Sequence, residues 1–114
     1  MAKKTQDVHP AIADALLVLG QQIHTARIHR GWSLAQLGSR IHAGPRTVSA
    51  LEHGSPAVAI GTVFSAARMC GVRLFGAEDA ELAALRRRGA EFLTLMPQRV
   101  YHSPKDEDDS VLNF

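Results

Sequence analysis

Cys70 is the only cysteine in the sequence, so no intrachain disulfide can form and stability has to come from packing. A lone thiol in aliphatic surroundings reads as a small buried hydrophobe. The histidines, His9, His24, His29, His42, His53 and His102, contain no i, i+4 pair and no accompanying cysteine spacing. That argues against a metal centre, and they read as surface or turn residues. Aromatics make up only 5% of the chain, which calls for an aliphatic core. No apolar run approaches the roughly 20 residues that span a bilayer, and MAKKTQDVHP has lysines without the apolar block of a secretory signal. A soluble, cytoplasmic protein is the expectation. Also missing are a glycine-rich phosphate loop, a paired cysteine and histidine, and a recognisable acidic pair, so neither an enzyme nor a cofactor is expected.

What is present is concentrated between Ser33 and Gly54, SLAQLGSRIHAGPRTVSALEHG. Ser33-x-x-Gln36 is a capping-box signature, in which the serine hydroxyl caps an early amide and the glutamine reaches back. Leu34, Leu37 and Ile41 come next at helical spacing and bury one side of a segment about two turns long. Gly44 breaks that pattern, Pro45 suits a first helical position, and Val48 and Leu51 recur three apart before Gly54 closes the run. Two short helices therefore meet across residues 42–44, and segments this short need tertiary partners.

Those partners are legible on either side. Ile12, Leu16, Leu19, Ile23 and Ala26 mark one face of a helix over residues 10–30, stopped by Gly31. After a loop at residues 55–61, a helix over 62–70 presents Val63, Phe64 and Ala67 and ends at Gly71, completing a four-helix core. Val72, Leu74 and Phe75 form a brief apolar patch compatible with an edge strand that could pair with its copy in a dimer. Leu82, Leu85, Phe92 and Met96 outline a fifth helix over 78–96, with acids at its start and Arg86, Arg87 and Arg88 in its middle. This helix either packs on its own domain or dimerises. The fold class expected is all-α, a bundle of about five helices, divided into a flexible N-terminus (1–10), a domain built around the two short helices (11–76), a C-terminal helix (77–96) and a flexible acidic tail (97–114).

Charge is unevenly placed. Up to residue 102 there are 12 lysines and arginines against 7 acids, a surplus of five, whereas Lys105 faces the four acids Asp106, Glu107, Asp108 and Asp109, a deficit of three. A basic body with an acidic tail suits a phosphate-binding face, although ordinary solvated surface would look the same by charge alone.

The spaced features Arg27, Gly31-Trp32-Ser33, Leu37 with Ile41, Thr47-Val48-Ser49 and Leu51-Glu52-His53-Gly54 resemble the Xre family of helix-turn-helix regulators, which includes the lambda-type phage repressors. The resemblance covers roughly Leu16 to Val72. It departs at Gly38, where alanine is usual, and at His42, where glycine is usual. The resemblance implies a lambda-repressor-like bundle whose 45–53 helix enters the major groove of double-stranded DNA. It places Gly44, Pro45 and Arg46, with Ser49 and Ala50 a turn later, at base edges, and Ser33, Gln36, Arg40, Thr47 and His53 at phosphates or register contacts. Arg46 is the strongest donor among the base-facing positions. Arg27 and Glu52 are implied to form a structural pair joining the first and third helices.

One short helix makes too few contacts for regulatory affinity, so a homodimer on an inverted repeat is expected. A looser similarity, carried by AELAALRRRG, PQRV and the acidic tail with its terminal aromatic, extends to HipB-like antitoxins, which repress their own operon and hold a HipA-like kinase toxin. It implies Val111, Leu112 and Phe114 as partner-binding residues. The runner-up is a stand-alone regulator without a toxin, and a protein-only interaction module is a third reading, against which the positive charge around Arg40 and Arg46 argues.

Overall fold

The computed structural model describes residues 7–100, so His102, the acidic run at 106–109 and Val111, Leu112 and Phe114, the residues expected to bind a partner, lie outside them. Among the described residues there are five helices, α1 (Pro10–His29), α2 (Leu34–Ile41), α3 (Pro45–Glu52), α4 (Ile60–Cys70) and α5 (Asp79–Leu93). No sheet forms among them, which matches the all-α expectation. The chain divides into two compact units between Glu78 and Asp79.

In the first unit, α1 starts on Pro10, with the His9 ring accepting from the Ala11 amide at 3.0 Å. Its packed face begins later than the spacing suggests, because Ile12 is 51% exposed. The reason is length: α1 has 20 residues, and its partners α3 and α4 have 8 and 11, too few to reach its first turn at 1.5 Å per residue. Ile23 from α1, Leu37 from α2 and Val48 from α3 are fully buried and join Leu51, Ala66, Ala67 and Cys70 in one cluster. Each large aliphatic side chain there contributes about 1.5–3 kcal/mol. Burial pushes the Cys70 thiol above its ordinary pKa, as a structural cysteine requires.

Backbone proximity explains Gly20. It is buried where α1 crosses the end of α3, and a Cβ there would lie 2.6 Å from the Leu51 carbonyl oxygen, so only glycine lets the two helices approach this closely.

The expected edge strand at 72–75 is not formed. Leu74 and Ala77 make an isolated antiparallel bridge, closed by the Ala77 amide on the Leu74 carbonyl at 3.0 Å. Between them Phe75 and Gly76 have φ of 55° and 66°, consecutive positive values of the kind that reverse a chain in two residues. The apolar residues before the turn are therefore spent on the core, with Val72 and Leu74 packed against it, and no extended edge is left to pair with a copy. Phe75 meets Phe64 edge-on at 6.1 Å and is otherwise exposed.

The second unit begins with α5. Asp79 and Glu81 occupy the first turn, where carboxylates suit the helix dipole. The helix runs through Gly89 to Leu93 and buries no residue.

Candidate nucleic-acid interface

The helix-turn-helix is assembled from local bonds. Ser33 Oγ accepts from the Gln36 amide at 3.0 Å, and Gln36 Oε1 accepts from the Ser33 amide at 2.8 Å, so the capping box read from the sequence is complete. At the other end of α2, His42 takes a left-handed conformation (φ 59°, ψ 42°), and the Ala43 amide returns to the Gly38 carbonyl at 2.8 Å. The same turn explains the glycine at 38. A Cβ there would collide with the Ala43 carbonyl oxygen, so the turn closes more tightly on α2 than an alanine would allow.

Helix α3 starts at Gly44 and Pro45 with no side-chain cap. Its inner face is fixed by Val48, Leu51 and Glu52, all buried. Glu52 receives a two-pronged grip from Arg27, with Nε to Oε2 at 2.6 Å and Nη2 to Oε1 at 3.0 Å. Arg27 Nη1 also donates to the Trp32 carbonyl at 2.7 Å. The expected structural pair is thus present, and it ties α1 to α3 and to the Trp32 backbone just ahead of α2.

Burial alone would raise the Glu52 pKa. The hydrogen bonds from Arg27 and His24 outweigh it and hold the carboxyl below its ordinary 4.5. The bond to Glu52 holds the Arg27 guanidinium above its own ordinary value, against the opposing effect of burial. His24 is the member of this cluster that sequence reading passed over as surface, since its Nδ1 lies 2.7 Å from Glu52 Oε1. The signal was available: His24 and Arg27 are three apart on one helix, so they share a face.

The outer face of α3 is sparser. Arg46 is exposed and makes no hydrogen bond or ion pair among the described residues. With Thr47 and Ala50 it forms one wall of an open groove of about 510 Å³ whose other side comes from Ala57, Val58 and Thr62. Gly44 and Pro45 are exposed at the start of the helix. Ser49 and His53 turn instead toward a second cleft beside α1, with the His53 Nδ1 at 2.7 Å from the Ser49 carbonyl.

Arg40 lies over the Trp32 ring, its guanidinium 4.2 Å from the centroid, and Arg30 approaches the same ring at 5.3 Å while donating to the Cys70 carbonyl at 3.1 Å. No sequence spacing announces this stack, because Trp32 precedes the helix that carries Arg40. Among the described residues no three histidine, cysteine or acidic side chains gather as a metal set. No helix there is long and apolar enough to cross a membrane.

Residues 18–85 match the family model described as a helix-turn-helix domain. No curated protein and no solved structure matches the chain. The matched segment spans the later part of α1, the capping box, the left-handed turn, the clamped α3 and α4, and covers more than half of the sequence: the chain belongs to the helix-turn-helix domain family.

Proposed function

We propose that the protein is a sequence-specific DNA-binding transcriptional repressor that reads an inverted-repeat operator as a homodimer. The observation that carries this reading is the asymmetry of α3, whose inner face is held by Val48, Leu51 and the Arg27–Glu52 pair while its outer face presents an unengaged Arg46. A rigidly seated short helix with a free guanidinium near its start suits major-groove readout, where arginine bonds both acceptors of a guanine. Pro45 and Ala50 offer apolar contact to thymine methyls and Gly44 permits close approach, while Ser49, expected a turn later at the base edges, lines the cleft beside α1 instead. Ser33, Gln36, Arg40, Thr47 and His53 serve the backbone and the register. Dimerisation supplies the contact area that one helix of 8 residues lacks.

Within this class we assign the protein to the antitoxins of type II toxin-antitoxin modules, repressing its own operon and binding a HipA-like kinase toxin through its C-terminal segment. Support comes from the resemblance of residues 80–89 and 97–100 and of the acidic tail to HipB-like proteins. The alternative is a stand-alone regulator whose α5 serves dimerisation, favoured by the exposed Leu85, Phe92 and Leu93 on that helix.

A gel shift with the DNA upstream of the gene tests the repressor reading. A specific shifted species supports it, and absence of any shift at micromolar protein refutes it. Co-purification of a kinase distinguishes antitoxin from lone regulator.

A further inference from the structure

The last turn of α3 borders a cleft of about 280 Å³ that Arg46 does not line. Gln21 and His24 line it from α1, Leu34 from the start of α2, Ser49 from α3 and His53 from just past its end, and the Arg27–Glu52 pair forms its floor. Both imidazoles have one nitrogen committed. His24 Nδ1 is 2.7 Å from a Glu52 carboxylate oxygen and His53 Nδ1 is 2.7 Å from the Ser49 carbonyl. Neither acceptor can donate, so each Nδ1 carries the hydrogen. The 3.2 Å approach of Arg27 Nη2 to His24 Nδ1 is then a contact between two donors, not a second bond.

This fixed tautomer decides what the outward nitrogen can do. In a neutral ring Nε2 bears a lone pair, which repels an anion; in a protonated ring the same atom is a charged donor. The charged and titratable groups bordering the cleft are His24 and Arg27 from α1, Glu52 from α3 and His53 from just past its end, with none from α2. Arg27 and Glu52 cancel, so the cluster is neutral with both rings neutral and carries two positive charges with both protonated. No lysine or arginine occurs from Thr47 to Gly61, so within that stretch His53 is the only side chain that can carry a positive charge.

In helix-turn-helix docking the second helix lies in the major groove and the first crosses the sugar-phosphate backbone. The cleft joins the first residue of α2 to the last turn of α3, so a backbone crossed by α2 in that docking would run along its mouth. Resting on the DNA-binding reading above, we propose that the cleft seats a DNA phosphate and that His24 and His53 grip it only in their protonated form, so that DNA affinity rises on acidification.

The test is fluorescence anisotropy with the full chain and its own upstream duplex, at about pH 6 and about pH 8 and at several salt concentrations. The expected gain on acidification is on the order of tenfold per imidazole, and the salt slope steepens by about 0.9 for each. The double variant His24→Gln, His53→Gln should bind at both pH values as the unaltered chain binds at the higher. His53→Lys should bind more tightly than the unaltered chain at the higher pH, which keeps the idea testable if loss of His24 loosens the clamp. Equal affinity of the unaltered chain at both pH values, or a full pH response in the double variant, overturns the proposal while leaving DNA binding intact. No DNA binding at either pH overturns both.

Discussion

The two faces of α3 are built on opposite principles. Toward α1 the helix is over-determined, with Val48 and Leu51 buried, Gly20 admitting the α1 backbone and Arg27 engaging Glu52 and the Trp32 carbonyl at once. Toward solvent it carries Arg46, one hydroxyl in Thr47 and the methyl of Ala50, against a loop of small apolar residues. The polar chemistry of the helix is therefore directed mainly at its placement. A helix with little to read by must be held at a fixed angle, because one guanidinium discriminates bases only if it arrives at the same place each time.

The comparison breaks most visibly on the inner face. Arg27→Ala leaves the Glu52 carboxylate buried without its main partner and should cost about 3 to 5 kcal/mol, read as a fall in the unfolding midpoint in urea. An unchanged midpoint would mean that α3 is seated by its apolar residues alone. Acid should reach the same pair. The Glu52 pKa is lower folded than unfolded, so its contribution is fully present above about pH 4.5 and is lost as pH falls through the folded value. Thermal melts between about pH 3 and 6 should show this loss, and Glu52→Gln should remove that part of the acid sensitivity.

On the outer face, Arg46→Ala should leave stability unchanged and cost about 1 to 3 kcal/mol of discrimination at a single base pair in each half-site. The turn between the faces offers a gain: His42→Gly relieves a left-handed side-chain-bearing residue and should stabilise by about 1 kcal/mol, seen as a raised melting temperature. The smallest effect is expected at Arg40→Ala, which forfeits a cation–π contact worth about 0.5–1 kcal/mol at an exposed site. That variant should weaken all DNA sequences alike.

How far the sequence foretold this arrangement differed by element. The capping box at Ser33 and Gln36 and the Pro45 start of α3 were readable because local bonds decide them. The Arg27–Glu52 pair was named through family resemblance, since 25 residues separate its partners and no periodicity joins them. The patch at 72–75 is compatible with an edge strand because Val72, Leu74 and Phe75 are apolar and too few for a helix, but two successive positive φ values at Phe75 and Gly76 are a tertiary outcome. Gly38 and His42 stood out as departures, and only the fold connects them: the tight return of Ala43 onto Gly38 comes with the left-handed turn at His42. The Trp32–Arg40 stack had no sequence signal. His24 had one, which was outweighed by the usual meaning of an exposed histidine.

The central claim is that placement and reading reside on separate faces of α3. It is tested most directly by measuring the base preference and melting temperature of Arg46→Ala beside those of Arg40→Ala, on the operator and on duplexes altered one base pair at a time. With the faces separate, Arg46→Ala loses preference at one position per half-site with an unchanged melting temperature, while Arg40→Ala keeps every preference and flattens the salt dependence by about 0.9. Equal effects of the two substitutions on every sequence would contradict it.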